Sequence, residues 1–276
     1  MCKQYMTMSE IQKVSLNVLK IITDIMDREG FVYVLAYGTL IGAVRHNGYI
    51  PWDDDVDIMM PRPDYERFLK YTQEHRDELG FIVTMNMEIN PNYPYMITRM
   101  CDSRYELEVE NEDRCGMGIF VDIYPIDGVG NSLEEAKQIF NKTAKYPSFI
   151  FLATRKYFTL GLTKGILRRA LKLPVYIYTH LMGKNYFVRK LNSLLSSLDY
   201  RSSMYVSNVA WDSRPVAYEK RFLQERIKLP FEDFSFYVPK EYDKMLRLVY
   251  GDYMLLPPEN ERIYHHLYKA YLKNED

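Results

Sequence analysis

Residues 53–57 read Asp-Asp-Asp-Val-Asp, four carboxylates in five positions, and apolar residues flank them on both sides. Few patterns restrict a fold more. Along a strand side chains alternate between faces, so Asp55 and Asp57 point the same way with Asp53 next in the row, while Val56 and Ile58 point into a core. Carboxylates a few ångströms apart repel by roughly 1–4 kcal/mol per pair near a protein surface. The natural relief is a hard divalent cation with oxygen ligands, Mg²⁺ or Mn²⁺. A solvated acidic turn is the competing reading. Tyr49-Ile50-Pro51-Trp52 before the cluster and Ile58-Met59-Met60 after it weigh against that, because an exposed acidic loop does not run directly into a buried strand.

Upstream, Val34-Leu35-Ala36-Tyr37 reads as a short apolar strand broken by Gly38, and Thr39 as the N-cap of a helical run over 40–45. Strand, glycine, hydroxyl and helix start together make an anion cradle from exposed N–H groups and the positive helix end. Gly38 and Thr39 are thus candidates to hold a donor phosphate. An anion cradle beside a metal-binding strand outlines a phosphoryl-transfer site.

The strings G-T-L-I-G-A-V-R-H at 38–46, I-P-W-D-D-D-V-D at 50–57 and M-P-R at 60–62 closely resemble the LicD family of phosphocholine transferases, which is related to the fukutin-type proteins. The resemblance is specific over 36–68 and returns at 118–127 and 231–265, including Tyr250-Gly-Asp-Tyr-Met and Pro257-Pro258. Residues 135–215 carry no matching motif. The resemblance implies an α+β fold, a minimal nucleotidyltransferase core similar to DNA polymerase beta, with a mixed sheet and flanking helices. It also implies transfer of a phosphorylated alcohol, above all phosphocholine from CDP-choline, to a sugar hydroxyl of a cell-surface glycan or teichoic-acid precursor, with release of CMP. Transfer from another CDP-alcohol (ethanolamine, glycerol or ribitol) and nucleotidyl transfer on the same fold are the alternative reactions. A non-catalytic scaffold on a membrane surface is the alternative outside enzymology.

In the related fold a third carboxylate joins the first two from a neighbouring strand. Ile119, Val121 and Ile123 alternate with Phe120, Asp122 and Tyr124, so Asp122 is the candidate, with Asp127 behind it. The blander reading pairs Asp122 with a surface base. On the family pattern Asp55 and Asp57 would hold the metal and Asp53 would assist. Asp122 would complete the set or accept the proton of the attacking hydroxyl. Arg45 would reach the phosphate or pair with the aspartates, and Arg99 is a second phosphate candidate. A quaternary ammonium needs aromatic faces. Trp52 abuts the aspartates, but 25 tyrosines offer no way to choose further cage residues. His265 and His266 read as structural.

At about 150 residues per domain, 276 residues make one large or two small domains. The expected division is a catalytic core at 1–130, a basic helical subdomain at 131–203, and a segment at 204–276 that packs back on the core. The net charge of −1 hides a segregation: residues 136–198 hold twelve of the 36 Lys and Arg and no Asp or Glu, leaving 24 basic against 37 acidic residues elsewhere. Such a segment suits an anionic membrane surface or polysaccharide, or forms a plain solvated basic face. Nucleic acid is not expected as a partner. Three cysteines without metal-type spacing, no apolar signal core and no run of 18 apolar residues lead to an expected cytoplasmic protein, free to visit the inner membrane face.

Periodicity predicts a helix over 9–28 capped by Ser9, and a second from Pro63 that stops at Gly80. Strands are predicted at 81–87, 93–101, 105–109 and 117–124, then helices at 133–146, 149–158, 165–181 and 187–198. Strands at 205–211, 221–230 and 234–239 follow, then a helix over 240–250 and a last helix beyond Pro257-Pro258-Glu259.

Overall fold

The computed structural model describes residues 3–158, 166–262 and 268–273. Helix α1 (Met8–Glu29) opens on a capping box, in which Thr7 Oγ1 accepts from the Glu10 N–H and Glu10 accepts from the Thr7 N–H. The cap is therefore Thr7, ahead of the expected Ser9. Next come β1 (Val34–Leu35), α2 (Tyr37–Arg45), β2 (Asp57–Pro61), α3 (Arg62–Glu74), β3 (Ile82–Met85), β4 (Thr98–Asp102), β5 (Tyr105–Val109) and β6 (Ile119–Gly128). Four helices form the basic middle: α4 (Leu133–Thr143), α5 (Lys145–Ala153), α6 (Ile166–Met182) and α7 (Lys184–Leu195). The chain continues through β7 (Tyr205–Ser207), β8 (Tyr218–Glu219), α8 (Arg221–Gln224), β9 (Arg226–Phe231), β10 (Phe234–Pro239), α9 (Tyr242–Tyr250) and β11 (Tyr268–Leu272).

Several expectations shift. Pro91 and Pro94 lack the N–H a ladder needs, and the strand expected from 93 begins only at Thr98. The stretch at 221–230 starts as the short helix α8 before it becomes β9. The last helix gives way, at 268–272, to strand β11, which pairs antiparallel with β5. His265 and His266 lie outside the described residues. Most consequential, β2 starts at Asp57. Asp53 donates its N–H to Ile50 O in a turn and so leaves the row, whereas Val56 O accepts from the Asp122 N–H and Val56 joins Ile58 in the core, so the expected alternation holds from Asp55 onward.

The main sheet is mixed, in the order β1-β2-β6-β4-β3, with β7 on β6 and β8 on β7. Strands β2 and β6 run parallel, and the other pairs are antiparallel. Strands β2, β4 and β6 are buried along their whole length because both faces are covered. Ile58, Met60, Met100, Val121 and Ile123 pack on Leu19, Ile22 and Met26 of α1 and Phe68 of α3. On the opposite face Met59, Cys101, Phe120 and Tyr124 meet Tyr93, Leu107 and Ala270. Ile150 of α5 with Phe187 and Leu191 of α7 make a small separate core.

Arg62, from the M-P-R string, pairs in a two-pronged fashion with Asp127 (Nε–Oδ1 2.7 Å, Nη2–Oδ2 2.9 Å), whose side chain is 3% exposed. The pair joins the start of α3 to the end of β6, and Asp127 takes a structural place behind Asp122. Arg62→Met should therefore lower unfolding stability by about 3–5 kcal/mol, because it strands a buried carboxylate. Denaturant unfolding checks this, and a loss under about 1 kcal/mol would show that water already compensates Asp127.

Candidate active site

Strand register sets the centre of the site. Asp57 lies beside Asp122 across the parallel β2–β6 pair, and Arg99 lies beside Asp122 across the antiparallel β4–β6 pair. Three adjacent strands thus contribute two carboxylates and a guanidinium in one row, on the sheet face that carries Met59 and Phe120. Asp55, two residues ahead of β2, reaches the same place: Asp55, Asp57 and Asp122 each put a carboxylate oxygen within 4.8 Å of the others. Asp53 falls in a second group with Asp54 and Asp55, and not in the row with Asp57 and Asp122. The turn from Ile50 to Asp53 accounts for that correction.

Arg99 is buried and gives both its prongs to Asp122 (Nε–Oδ1 2.7 Å, Nη2–Oδ2 3.4 Å). Its guanidinium lies between the Phe120 ring at 3.7 Å and the Tyr95 ring at 4.1 Å. Burial works against its charge, but Asp122 together with Tyr95 and Tyr93 outweighs that and holds it protonated. Arg99 therefore braces the row and does not face a donor phosphate, and the partner of Asp122 is a core arginine instead of a surface base. Asp57 has the opposite surroundings. Burial first, then the charges of Asp55 and Asp122, push its carboxyl well above the usual carboxylate range. Its Oδ1 is buried and has no hydrogen-bond partner among the described residues. An orphaned, desolvated carboxylate oxygen beside two more carboxylates fits a hard divalent cation, which favours the ionised form.

Helix α2 starts at Tyr37, after Ala36 in extended backbone, and no side chain caps it. Thr39 is therefore not the N-cap. It sits 3% exposed inside the first turn, and its Oγ1 accepts the Asp57 N–H at 2.8 Å. A Cβ added to Gly38 would stand 2.4 Å from Asp53 Oδ2, so glycine is what lets that carboxylate approach the helix start. The positive end expected to cradle a ligand anion is faced by the protein's own Asp53. Arg45 turns away from both expected partners: its Nη1 donates to Tyr253 O at 2.6 Å. Trp52 is half-buried against the core at the α1 face, with the Arg262 guanidinium 5.7 Å from its ring.

A cleft of about 650 Å³ opens beside Asp57. Tyr37, Tyr124, Trp211 and Asp212 line it, and α5 and α6 complete it with Phe151 and Lys172. Sequence reasoning missed these residues. The rarity of tryptophan, two in the chain, and the dipeptide Trp211-Asp212 at the end of an apolar run were the available signals.

Thr39 has a defined job in this geometry, to satisfy the first amide of β2 and fix Asp57. Thr39→Val should cost about 1–3 kcal/mol by leaving that buried N–H unmet, whereas Thr39→Ser should recover most of it. Thermal or denaturant unfolding of the three proteins measures the difference. Equal stability of wild type and Thr39→Val would remove this anchor.

Comparison with known proteins gives this arrangement a family. A family model described as LicD/FKTN/FKRP, nucleotidyltransferase domain, matches residues 30–158, which include every strand of the carboxylate row. Lipopolysaccharide cholinephosphotransferase LicD of Haemophilus influenzae is 30% identical over 270 residues, 97% of this chain and 98% of that protein. An uncharacterized protein of Rickettsia prowazekii is 33% identical over 98 residues, 32% of this chain and 36% of its own. One from Rickettsia typhi is 31% identical over 94 residues, 30% of either chain. Because the likeness to the Haemophilus protein runs the length of both chains, this chain belongs to the LicD family.

Proposed function

We propose that this phosphotransferase moves phosphocholine from CDP-choline to a sugar hydroxyl of a cell-surface glycan of the lipopolysaccharide kind, releasing CMP with the help of Mg²⁺ or Mn²⁺. Full-length similarity to a cholinephosphotransferase supports the group transferred. The observation that carries the chemistry is the convergence of Asp55, Asp57 and Asp122 within 4.8 Å. On this reading the core is a minimal nucleotidyltransferase fold of the polymerase-beta type, with carboxylates on two parallel neighbouring strands. Asp57, Asp122 and Asp55 would hold the cation. Bound there, it would neutralise charge that builds on the donor phosphate as the bond to CMP breaks. Arg99 fixes the orientation of Asp122, and Thr39 fixes the start of β2. Asp55, the half-buried member of the row, is the carboxylate we assign to take the proton of the attacking hydroxyl. Lys172 supplies a positive charge to the cleft wall, suited to a phosphate.

The test is CMP release from a panel of CDP-alcohols in the presence of Mg²⁺ or Mn²⁺. CDP-choline should be turned over, and Asp57→Asn should lower kcat by at least about 10²-fold while the protein stays folded. Cation at 100 times its Kd should raise wild-type stability by about 2.7 kcal/mol, and Asp57→Asn should abolish most of that gain. Melting that is indifferent to both cations, with donor present, would falsify the cation assignment.

The glycan acceptor on this reading is lipid-linked, and the basic middle brings the enzyme to it. No described helix is long and apolar enough to cross a membrane. On α6, however, Leu173, Ile177 and Leu181 stand one turn apart and are 43%, 50% and 81% exposed. A solvent-facing apolar stripe in a segment with no acidic residue suits shallow insertion into an anionic leaflet. Arg155 and Lys156 are engaged by Glu112 and Asp113 and serve structure instead. Wild type should float with anionic vesicles, less so as salt rises, and Ile177→Glu with Leu181→Glu should release it. Flotation with neither kind of vesicle would reduce α6 to a solvated helix, and equal flotation with both would remove the electrostatic part of the attraction.

A further inference from the structure

We infer that Tyr37, Tyr124 and Trp211, with Asp212 as counter-charge, form a subsite for a quaternary ammonium head group, an inference that rests on the proposed choline chemistry. A trimethylammonium group offers no hydrogen-bond donor and is too large to enter a coordination shell. Its recognition falls to ring faces and to diffuse negative charge. The cleft beside Asp57 has both. Tyr37 and Tyr124 meet at 76° with centroids 5.0 Å apart, and Tyr124 and Trp211 meet at 64° at 6.2 Å. Rings set at such steep angles form the walls of a corner and not a stack that fills itself. Tyr95, outside the cleft lining, packs its ring against Trp211 at 5.8 Å and braces it.

The backbone supports the same reading. Tyr37 has φ 45°, in the left-handed region that side chains other than glycine rarely occupy, and it does so at the first residue of α2. Strain of this kind persists where surroundings over-determine it. Here Asn208 donates from Nδ2 to the Tyr37 hydroxyl at 2.9 Å, and the Tyr124 ring closes against it. The strain thus holds an aromatic ring in the cleft wall next to Asp57. Asp212 follows Trp211 and lines the same space. Trp52, the ring nearest the aspartates in sequence, packs on the core and takes no part in this lining.

The test compares KM for CDP-choline and CDP-ethanolamine in the CMP-release assay. Trp211→Ala should raise KM for CDP-choline about tenfold and that for CDP-ethanolamine by less than about threefold, while Trp211→Phe should keep most of the preference. Asp212→Asn should move the ratio in the same direction. A binding readout stands apart from turnover: with Trp52→Phe, Trp211 is the sole tryptophan, and choline chloride should quench its fluorescence more than neutral 3,3-dimethylbutanol does. An unchanged choline-to-ethanolamine ratio in folded Trp211→Ala, or equal response to choline and its neutral analogue, overturns the subsite and leaves the transferase reading intact. Wild type that binds choline at Trp211 yet releases no CMP from CDP-choline keeps the subsite and overturns the reaction.

Discussion

Everything around the centre of this molecule answers to the repulsion among Asp55, Asp57 and Asp122. At separations up to 4.8 Å, two ionised carboxylates repel by roughly 3–4 kcal/mol at an effective dielectric near 20. The fold places a full countercharge, Arg99, on the strand next to Asp122. Its burial between Phe120 and Tyr95 would be prohibitive for a lone cation. Two bonds to Asp122 and two ring faces make it tolerable. Asp57 is buried beside Asp55 and Asp122, and burial first, then their charges, raise its proton affinity against a weaker opposing hydrogen bond from Tyr124. One site thus contains a satisfied carboxylate and a frustrated one, an arrangement that stability alone does not favour and that a divalent cation would resolve.

The frustrated group is held in place by neighbours with little freedom. The Asp57 backbone is fixed by the ladder to β6, by the Thr39 hydroxyl, and by the turn at Ile50–Asp53 that feeds the strand. Gln12 of α1 donates to Asp53 O at 2.7 Å and ties that turn to the first helix. The carboxylates therefore cannot spread apart without disturbing the hydrophobic packing under the sheet. Packing energy, spread over Ile58, Met60, Val121 and Ile123, keeps the charges together.

The sequence was most legible where chemistry is local. The motif strings identified the family, and the alternation at 119–124 picked Asp122 out of its strand. The helices of the middle segment followed from periodicity to within a few residues. What failed were inferences about where a side chain points. Thr39 looked like a cap because a hydroxyl after a strand and glycine usually is one. Here the helix begins three residues earlier, and the hydroxyl serves Asp57 from inside the first turn. Arg45 and Trp52 were judged by proximity in sequence, yet long-range contacts decide both: Tyr253 O draws the arginine, and the core under α1 takes the indole. Trp211 and Asp212 approach Asp57 from more than 150 residues away, and no local pattern carries that information.

The charges also bear on how a zwitterionic donor group would sit. Phosphocholine has a negative and a positive end, and a row of carboxylates attracts the positive one. Without a cation, the acidic row would draw an ammonium toward the place where phosphorus must react. On the proposed function, a divalent cation held by the row would reverse the local field, so that it attracted the phosphate and repelled the ammonium. The ammonium then needs a second home within the length of a phosphocholine, one that does not coordinate metal. Aromatic walls and a single offset carboxylate meet that need, since ring faces attract a diffuse cation but bind Mg²⁺ weakly in water. On the proposed function, acidic row and aromatic corner are complementary parts of one polarity that border each other at Asp57 and Tyr124.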